Sequence, residues 1–418
     1  MNHLRRFSTT LVGLAIALAC ATGVTHADTG SWAPAAPLPT PRAELAAVTG
    51  PDGRIYAIGG TSGNVSLATV EAYDPATNTW TTAAPLPQPR QDLAAVLGSD
   101  GRIYVIGGVS CSRSACTYPA AVAVYDVASN TWSTVAPLPT PRGGLGAARG
   151  PSGRIYAIGG SASPNGPFAT VDVYDPSSNT WRTVAPLPAA RSSLAVVAGP
   201  DGRIYAIGGT EPVALGSIST VDAYNPATNA WTPVNGLPIA LGGLAATAGT
   251  DGRIYAFGAF NRLITLGTAF AYTPATDTWL PIASMPTARG FLAGATGPDG
   301  RIYAVGGVST TGAIGTFRGT VESYTSACHF ALGFKALDAE IPAVVGNCLE
   351  NEQHNPTNGD ALQPTTGGLL VWRKTDNFTA FTDGYHTWVN GPLGLQERLN
   401  TERFRWEPNP GGFPLARS

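Results

Sequence analysis

The sequence predicts an all-β chain, six units of four antiparallel strands closed into a ring, followed by a small α+β module. Three observations carry this. The phrase GRIYAIGG or a near copy starts at Gly53, Gly101, Gly153, Gly202, Gly252 and Gly300, and so even a spacing marks a repeat architecture. Pro51-Asp52-Gly53 separates two apolar runs, and Asp-Gly there is hairpin chemistry because glycine accepts positive φ. Finally, Trp32 has no strands before it, whereas the sixth unit has no tryptophan after Tyr324.

Ahead of the repeats, Arg5 and Arg6 precede an apolar run over residues 11–19, and Thr25-His26-Ala27 places small residues at the cleavage-determining positions. This predicts an export signal over residues 1–27 and a mature chain beginning near Asp28. The run is too short to span a bilayer. A lipoprotein reading through Cys20 competes, but Ala17 stands where such signals prefer leucine.

The first unit, residues 42–87, explains the others. Leu45-Ala46-Ala47-Val48 is small and apolar, which suits a strand crowded near an axis. Arg54-Ile55-Tyr56-Ala57-Ile58 alternates poorly, as a strand buried on both faces does. Gly59-Gly60 ends it, where backbone must turn or pack closely. A variable loop over residues 61–68 leads to Val70-Glu71-Ala72-Tyr73, with strand alternation. Asp74-Pro75-Ala76-Thr77-Asn78 is turn chemistry, and Trp80 opens a fourth strand. Four strands cannot bury both faces alone; stacking the units around a ring can.

The double glycine, the third-strand tyrosine (Tyr73, Tyr125, Tyr174, Tyr224, Tyr272, Tyr324), the tryptophan (Trp80, Trp132, Trp181, Trp231, Trp279) and the arginine heading each first strand (Arg42, Arg90, Arg142, Arg191, Arg289) together resemble the kelch repeat. The resemblance implies a six-bladed β-propeller over residues 28–325, with the N-terminal segment supplying the outer strand of blade six. The fifth unit departs most, with Leu241 for the arginine and Ala259 for the second glycine, so its contacts to neighbouring blades are expected to be the least regular. Recurrent residues are read as scaffold, and the arginines as inter-blade hydrogen bonders ahead of a ring of donors facing a ligand.

Charge and cysteine usage narrow the partners. Net charge is −2 with 12% charged residues, and the only lysines are Lys335 and Lys374, which argues against nucleic acid. After signal removal four cysteines remain; four allow three pairings, and proximity favours Cys111–Cys116 and Cys328–Cys348 in an oxidising compartment. No histidine or second cysteine pair lies near Cys111 and Cys116, which excludes a zinc pattern there. The histidines are His3, His26, His329, His354 and His386, none within the repeats. Copper or iron sites of the galactose-oxidase-like or nitrile-specifier kelch type use histidine, so neither is expected on the ring, and no metal or cofactor is expected.

Kelch adaptors tend to bind partners on one face, just after the double glycine and just after the arginine. By position the first set is Thr61, Val109, Ser161, Thr210, Phe260 and Val308. The second is Ala43-Glu44, Gln91-Asp92, Gly143-Gly144, Ser192-Ser193, Gly242-Gly243 and Gly290-Phe291. Glu211, Asn261, Arg262 and Arg318 lie in the same long loops. The candidate ligand-binding residues are therefore Glu44, Gln91, Asp92, Ser192, Ser193, Glu211, Asn261, Arg262 and Arg318. Glu44 and Asp92 hold equivalent positions in adjacent units: a cation site or an acid–base pair on one reading, solvated carboxylates or partners for Arg42 and Arg90 on the other, which is favoured.

Residues 326–418 read as the α+β module: strands around Leu369-Leu370-Val371-Trp372-Arg373, over residues 378–381 and near Tyr385-His386-Thr387-Trp388-Val389, then a short helix over residues 395–404. The stretch resembles a tail of secreted bacterial proteins. Trp372 and Trp388 suit either sugar stacking or, more readily, a small core. A Cys348/His386 nucleophile pair is disfavoured against a Cys328–Cys348 bridge. The expectation is an exported, monomeric, non-enzymatic scaffold for a protein or cell-envelope glycan, with a carbohydrate isomerase resembling sialic-acid mutarotases as the alternative.

Overall fold

A computed structural model describes residues 30–326, apart from 64, 164–165, 212–215, 262–263 and 312–313, together with six short strands of the C-terminal tail. The expected signal over residues 1–27, Cys20, Arg262, Cys328 and Cys348 lie outside the described residues.

Each repeat becomes one four-stranded antiparallel sheet. In blade 1 the strands are Ala46–Thr49, Ile55–Ile58, Val70–Asp74 and Thr79–Thr82, ordered from axis to rim. Blades 2 to 5 repeat the order, starting at Ala94, Gly146, Ala195 and Ala245. Blade 6 takes Ala293–Thr296, Ile302–Val305 and Val321–Thr325 from the end of the repeats and Ser31–Ala35 from their beginning. Trp32 stands opposite Tyr324, as Trp80 stands opposite Tyr73.

The repeated phrase is explained by what its residues do. The second strand, Ile-Tyr-Ala-Ile in blade 1, is buried on both faces. In five blades the turn aspartate accepts a bond from the tyrosine hydroxyl four residues on, 2.9 Å for Tyr56 and Asp52, while the intervening arginine pairs with the same carboxylate. Blade 3 has Ser152 instead, and Arg154 turns to Asp175.

Three interactions repeat around the ring. The backbone N–H at the second glycine of each blade donates to the carbonyl of the arginine, or Leu241, that opens the next blade, at 2.9–3.0 Å, ending with Gly307 to Arg42. Second-strand tyrosines meet the next blade's third-strand tyrosines at centroid distances of 5.5–5.8 Å, ending with Tyr303 on Tyr73. Each rim tryptophan donates its indole N–H to a carbonyl leading out of the preceding blade, Trp80 to Ala36 at 2.8 Å and Trp32 to Ala283 at 2.7 Å.

The arginine side chains bond within their own blade, correcting the inter-blade expectation; backbone groups cross the boundary, the carbonyls and, at Arg42, Arg90 and Arg191, the N–H as well. Arg42, Arg142, Arg191 and Arg289 are buried and paired with Glu71, Asp172, Asp222 and Glu322 on the third strand of the same sheet, 2.9 Å for Arg142 and Asp172. Blade 5 lacks both partners, with Leu241 and Phe270 at the two positions. Blade 2 keeps Arg90, 1% exposed, opposite Ala123. Stripping one partner from a buried pair costs about 3–5 kcal/mol, so Arg90 is a local anomaly.

Blade 5 departs in its sheet more than at its boundary. Gly60 has a φ of +100°, and a Cβ there would lie 2.6 Å from the Ala43 carbonyl. Ala259 takes that place without positive φ, so the second strand runs on through Ile254–Asn261, with a register shift between Phe257 and Ala259. Its N–H still reaches Arg289 O at 3.0 Å, so the expected irregularity lies inside the blade.

In the tail, strands Gln353–His354, Ala361–Pro364, Leu369–Arg373, Phe378–Thr382, His386–Gly391 and Gly394–Leu399 form one antiparallel sheet in sequence order. The helix expected over residues 395–404 is a strand as far as Leu399, paired in register with His386–Gly391. The described part of the tail is strand alone, with Gly391 paired opposite Gly394.

Replacing Trp32 by alanine removes an indole hydrogen bond and ring contacts to Tyr324 and Phe257. The expected loss is about 3 kcal/mol in urea unfolding. A chain starting at residue 36 should expose the Val321–Thr325 edge and self-associate on size-exclusion chromatography.

Candidate functional site

Two residues after each heading arginine, and after Leu241 in blade 5, the backbone enters the left-handed region. Glu44, Asp92, Gly144, Ser193, Gly243 and Phe291 have φ between +51° and +62°. This conformation turns each N–H towards the previous blade's carbonyl. Asp92 donates to Glu44, Gly144 to Asp92, Ser193 to Gly144, Gly243 to Ser193, Phe291 to Gly243 and Glu44 to Phe291, all at 2.7–2.9 Å. The six bonds form a closed circle around the axis.

A leucine follows each of these residues. Leu45, Leu93, Leu145, Leu194, Leu244 and Leu292 are buried, and with the six left-handed residues they line an axial cavity of about 80 Å³. The mouth is a cup with a polar rim and a leucine floor. Its rim is lopsided: Phe291, Glu44 and Asp92 are consecutive around the circle, while Gly144, Ser193 and Gly243 complete the other half. Phe291 is braced by Phe260, with ring centroids 4.9 Å apart.

Glu44 is held from outside the cup. Gln91 donates its side-chain amide to Glu44 Oε2 at 2.7 Å, and the Ser66 hydroxyl donates to Gln91 Oε1 at 2.9 Å. Ser66 Oγ in turn accepts from the Cys111 N–H at 2.8 Å. Cys111 is disulfide-bonded to Cys116, closing a two-strand hairpin above blade 2. Burial and the neighbouring Asp92 charge push the Glu44 carboxyl up to about 8, against the opposing Gln91 hydrogen bond. Burial raises Asp92 to about 6. Near neutral pH the pair therefore holds roughly one proton and one negative charge. It can receive a cationic group, or give and take a proton.

Around the cup the post-glycine loops stand on the same face, because the residue after each arginine bridges to the residue after each double glycine, from Ala43–Thr61 to Gly290–Val308. Neighbouring loops are laced together. Ser66 bonds Cys111, Tyr118 takes the Ser163 N–H, Ser217 donates to Phe260 O, and Thr265 pairs with Thr310.

Among the sequence candidates, Glu44, Asp92 and Ser193 line the cup and Gln91 supports it. Ser192 does not: it faces Thr210 beneath the blade 4 loop, oxygens 3.2 Å apart. Glu211 lies in that loop and Asn261 at a hairpin tip paired with Ile264, both outside the cavity lining. Arg318 is half-buried beside Arg289, whose guanidinium its charge helps push down after burial, and it also misses the cup. Of the favoured reading, solvated carboxylates or partners for Arg42 and Arg90, the pairing is not made, since Arg42 is taken by Glu71, and Glu44 and Asp92 are half-buried. Sequence reasoning missed Ser66, which carries no local signal, and the leucine floor, whose signal is a leucine three residues after every heading arginine.

The family model described as the Kelch motif matches residues 44–87, 93–139, 149–188, 191–238 and 243–286. The chain belongs to the kelch-repeat family. Blade 6 of this kelch propeller, assembled from both ends of the repeats, lies outside the five matched segments. The curated proteins contain no match to the chain. Among the described residues of the propeller, no three histidine, cysteine or acidic side chains gather as metal ligands, and no helix is long and apolar enough to cross a membrane.

The raised acids fix a sign for pH dependence. Both carboxyls titrate higher in the folded chain than in the unfolded one, so their favourable contribution is complete below about pH 4 and lost as pH rises through about 6 to 8. Glu44→Gln and Asp92→Asn should each stabilise the protein at pH 9 by more than about 1 kcal/mol and give no gain at pH 4, read by urea unfolding.

Proposed function

We propose that this kelch propeller is an exported, monomeric, non-enzymatic binding scaffold whose laced loops and axial cup receive a protein or a cell-envelope glycan. The observation that carries the reading is the size and charge of the cup. At about 80 Å³ it falls well below the roughly 300 Å³ at which pockets begin to enclose a whole small molecule. It suits the end of one side chain, and its singly charged acid pair beside Phe291 favours a lysine or arginine tip. The loops around it give a broad surface for the rest of a partner. A protein with an exposed basic anchor fits best. The tail then serves as an envelope tether.

A second reading rests on the separated titrations of Glu44 and Asp92, which would suit proton transfer in a carbohydrate mutarotase. The shallow cup would leave most of a sugar ring outside it.

Bait lacking residues 1–27 should recover a partner from envelope extract. Glu44→Gln combined with Asp92→Asn should weaken binding at least about tenfold, the loss of roughly one charge-assisted contact. Exchange of residues 109–121 or 308–320 should weaken it further. Binding that survives every one of these changes rejects the map. Faster anomer interconversion of a sialic acid or hexose by wild type, abolished in Asp92→Asn, would favour the enzyme. A reporter fused to residues 326–418 should remain on whole envelopes; free diffusion rejects the tether.

A further inference from the structure

Blade 2 holds a buried guanidinium whose counter-charge is missing. Arg90 is 1% exposed, and its two hydrogen bonds among the described residues both leave from Nη1, to the carbonyls of Gly107 and Ala121. Its Nε has no acceptor, as is also true of the carboxylate-paired Arg42 and Arg289, so what sets Arg90 apart is the lack of a carboxylate. The other four heading arginines meet a carboxylate on the third strand, and Ala123 occupies that position here.

The sister blades show which residues stand around the equivalent position. In blade 3, Thr183 stands in register with Asp172 and donates its hydroxyl at 2.9 Å; in blade 2, Thr134 stands in register with Ala123. In blade 1, Thr40 donates to Glu71 at 2.9 Å; Gln88 holds the Thr40 position in blade 2. By equivalence with blades 1 and 3, the residues at the positions around the absent carboxylate are Arg90, Thr134 and Gln88, whose side chains can all donate. We propose that a small monovalent anion, chloride or a free carboxylate of formate size, binds beside Arg90 where the third-strand carboxylate is missing. The ligand is small because alanine in place of aspartate frees little more than the volume of a carboxyl group. A doubly charged oxyanion such as sulfate exceeds both that space and the single positive charge.

Burial alone lowers Arg90, to about 10, whereas carboxylates oppose the lowering of Arg42, Arg142 and Arg289. This agrees with a charge that the chain itself does not compensate.

The full chain without its signal should melt several degrees higher in chloride or formate than in methanesulfonate at equal ionic strength. The stronger of the two identifies the source. Ala123→Asp supplies the carboxylate internally and should melt higher than wild type while losing the anion response. Arg90→Leu, which copies Leu241 of blade 5, should also lose it. Bromide-soaked crystals should show an anomalous peak beside the Arg90 guanidinium in wild type and none in Ala123→Asp. An anion response equal in wild type and Arg90→Leu, or no bromide at Arg90, overturns the proposal.

Discussion

Closure of the ring is the constraint on which the structure depends. Ser31–Ala35 pairs with Val321–Thr325, and only then does blade 6 have four strands. Every recurring contact has its sixth member across this seam: Gly307 to Arg42, Tyr303 to Tyr73, Glu44 to Phe291. Each is a modest interaction, and most would be lost together if the seam opened, because the second-strand faces of blades 1 and 6 would meet water. A repeat protein with an open end needs a polar capping unit. This chain instead makes its first strand the last one.

The candidate site grows out of the same closure. Circular backbone bonding demands left-handed geometry at six equivalent positions, and the backbone alone performs that task. The side chains are free to differ, provided the local strain is tolerated. Glycine meets the demand at Gly144 and Gly243. Glutamate, aspartate, serine and phenylalanine meet it at a cost of about 1–2 kcal/mol each. Strained non-glycine residues tend to cluster where a side chain does something glycine cannot. Three of the four, Phe291, Glu44 and Asp92, are consecutive around the mouth, which is why the cup has a chemical side and a plain side.

Much of this was legible in the residues. Six copies of one phrase specify the sheets, and Trp32 without preceding strands specifies how the ring closes. Placing Glu44 beside Asp92 also followed from counting positions after Arg42 and Arg90. What did not follow was long-range and side-chain specific. Ser66 reaches Gln91 across 25 positions and Cys111 across 45, and no periodicity marks such a contact. Ser192 differs from Ser193 by one residue, yet a left-handed φ at Ser193 sends only that side chain to the axis. The destination of the arginines was misread because repetition reveals a role without revealing its partner.

Comparison of blades 2 and 5 then separates what the buried ion pair does from what the fold needs. In blade 5 neither member is present, and Leu241 and Phe270 are buried in one apolar cluster while the sheet keeps four strands and its link to Arg289. A buried pair and a well-packed apolar pair are thus alternatives in this scaffold, as desolvation arguments lead one to expect. Blade 2 is neither. It retains the charge without the partner, and Arg90 still ties Gly107 to Ala121 through one guanidinium nitrogen. Among the described residues no side chain neutralises it. The scaffold accepts both balanced solutions, so the unbalanced one points outward, to a counter-charge that comes from solution.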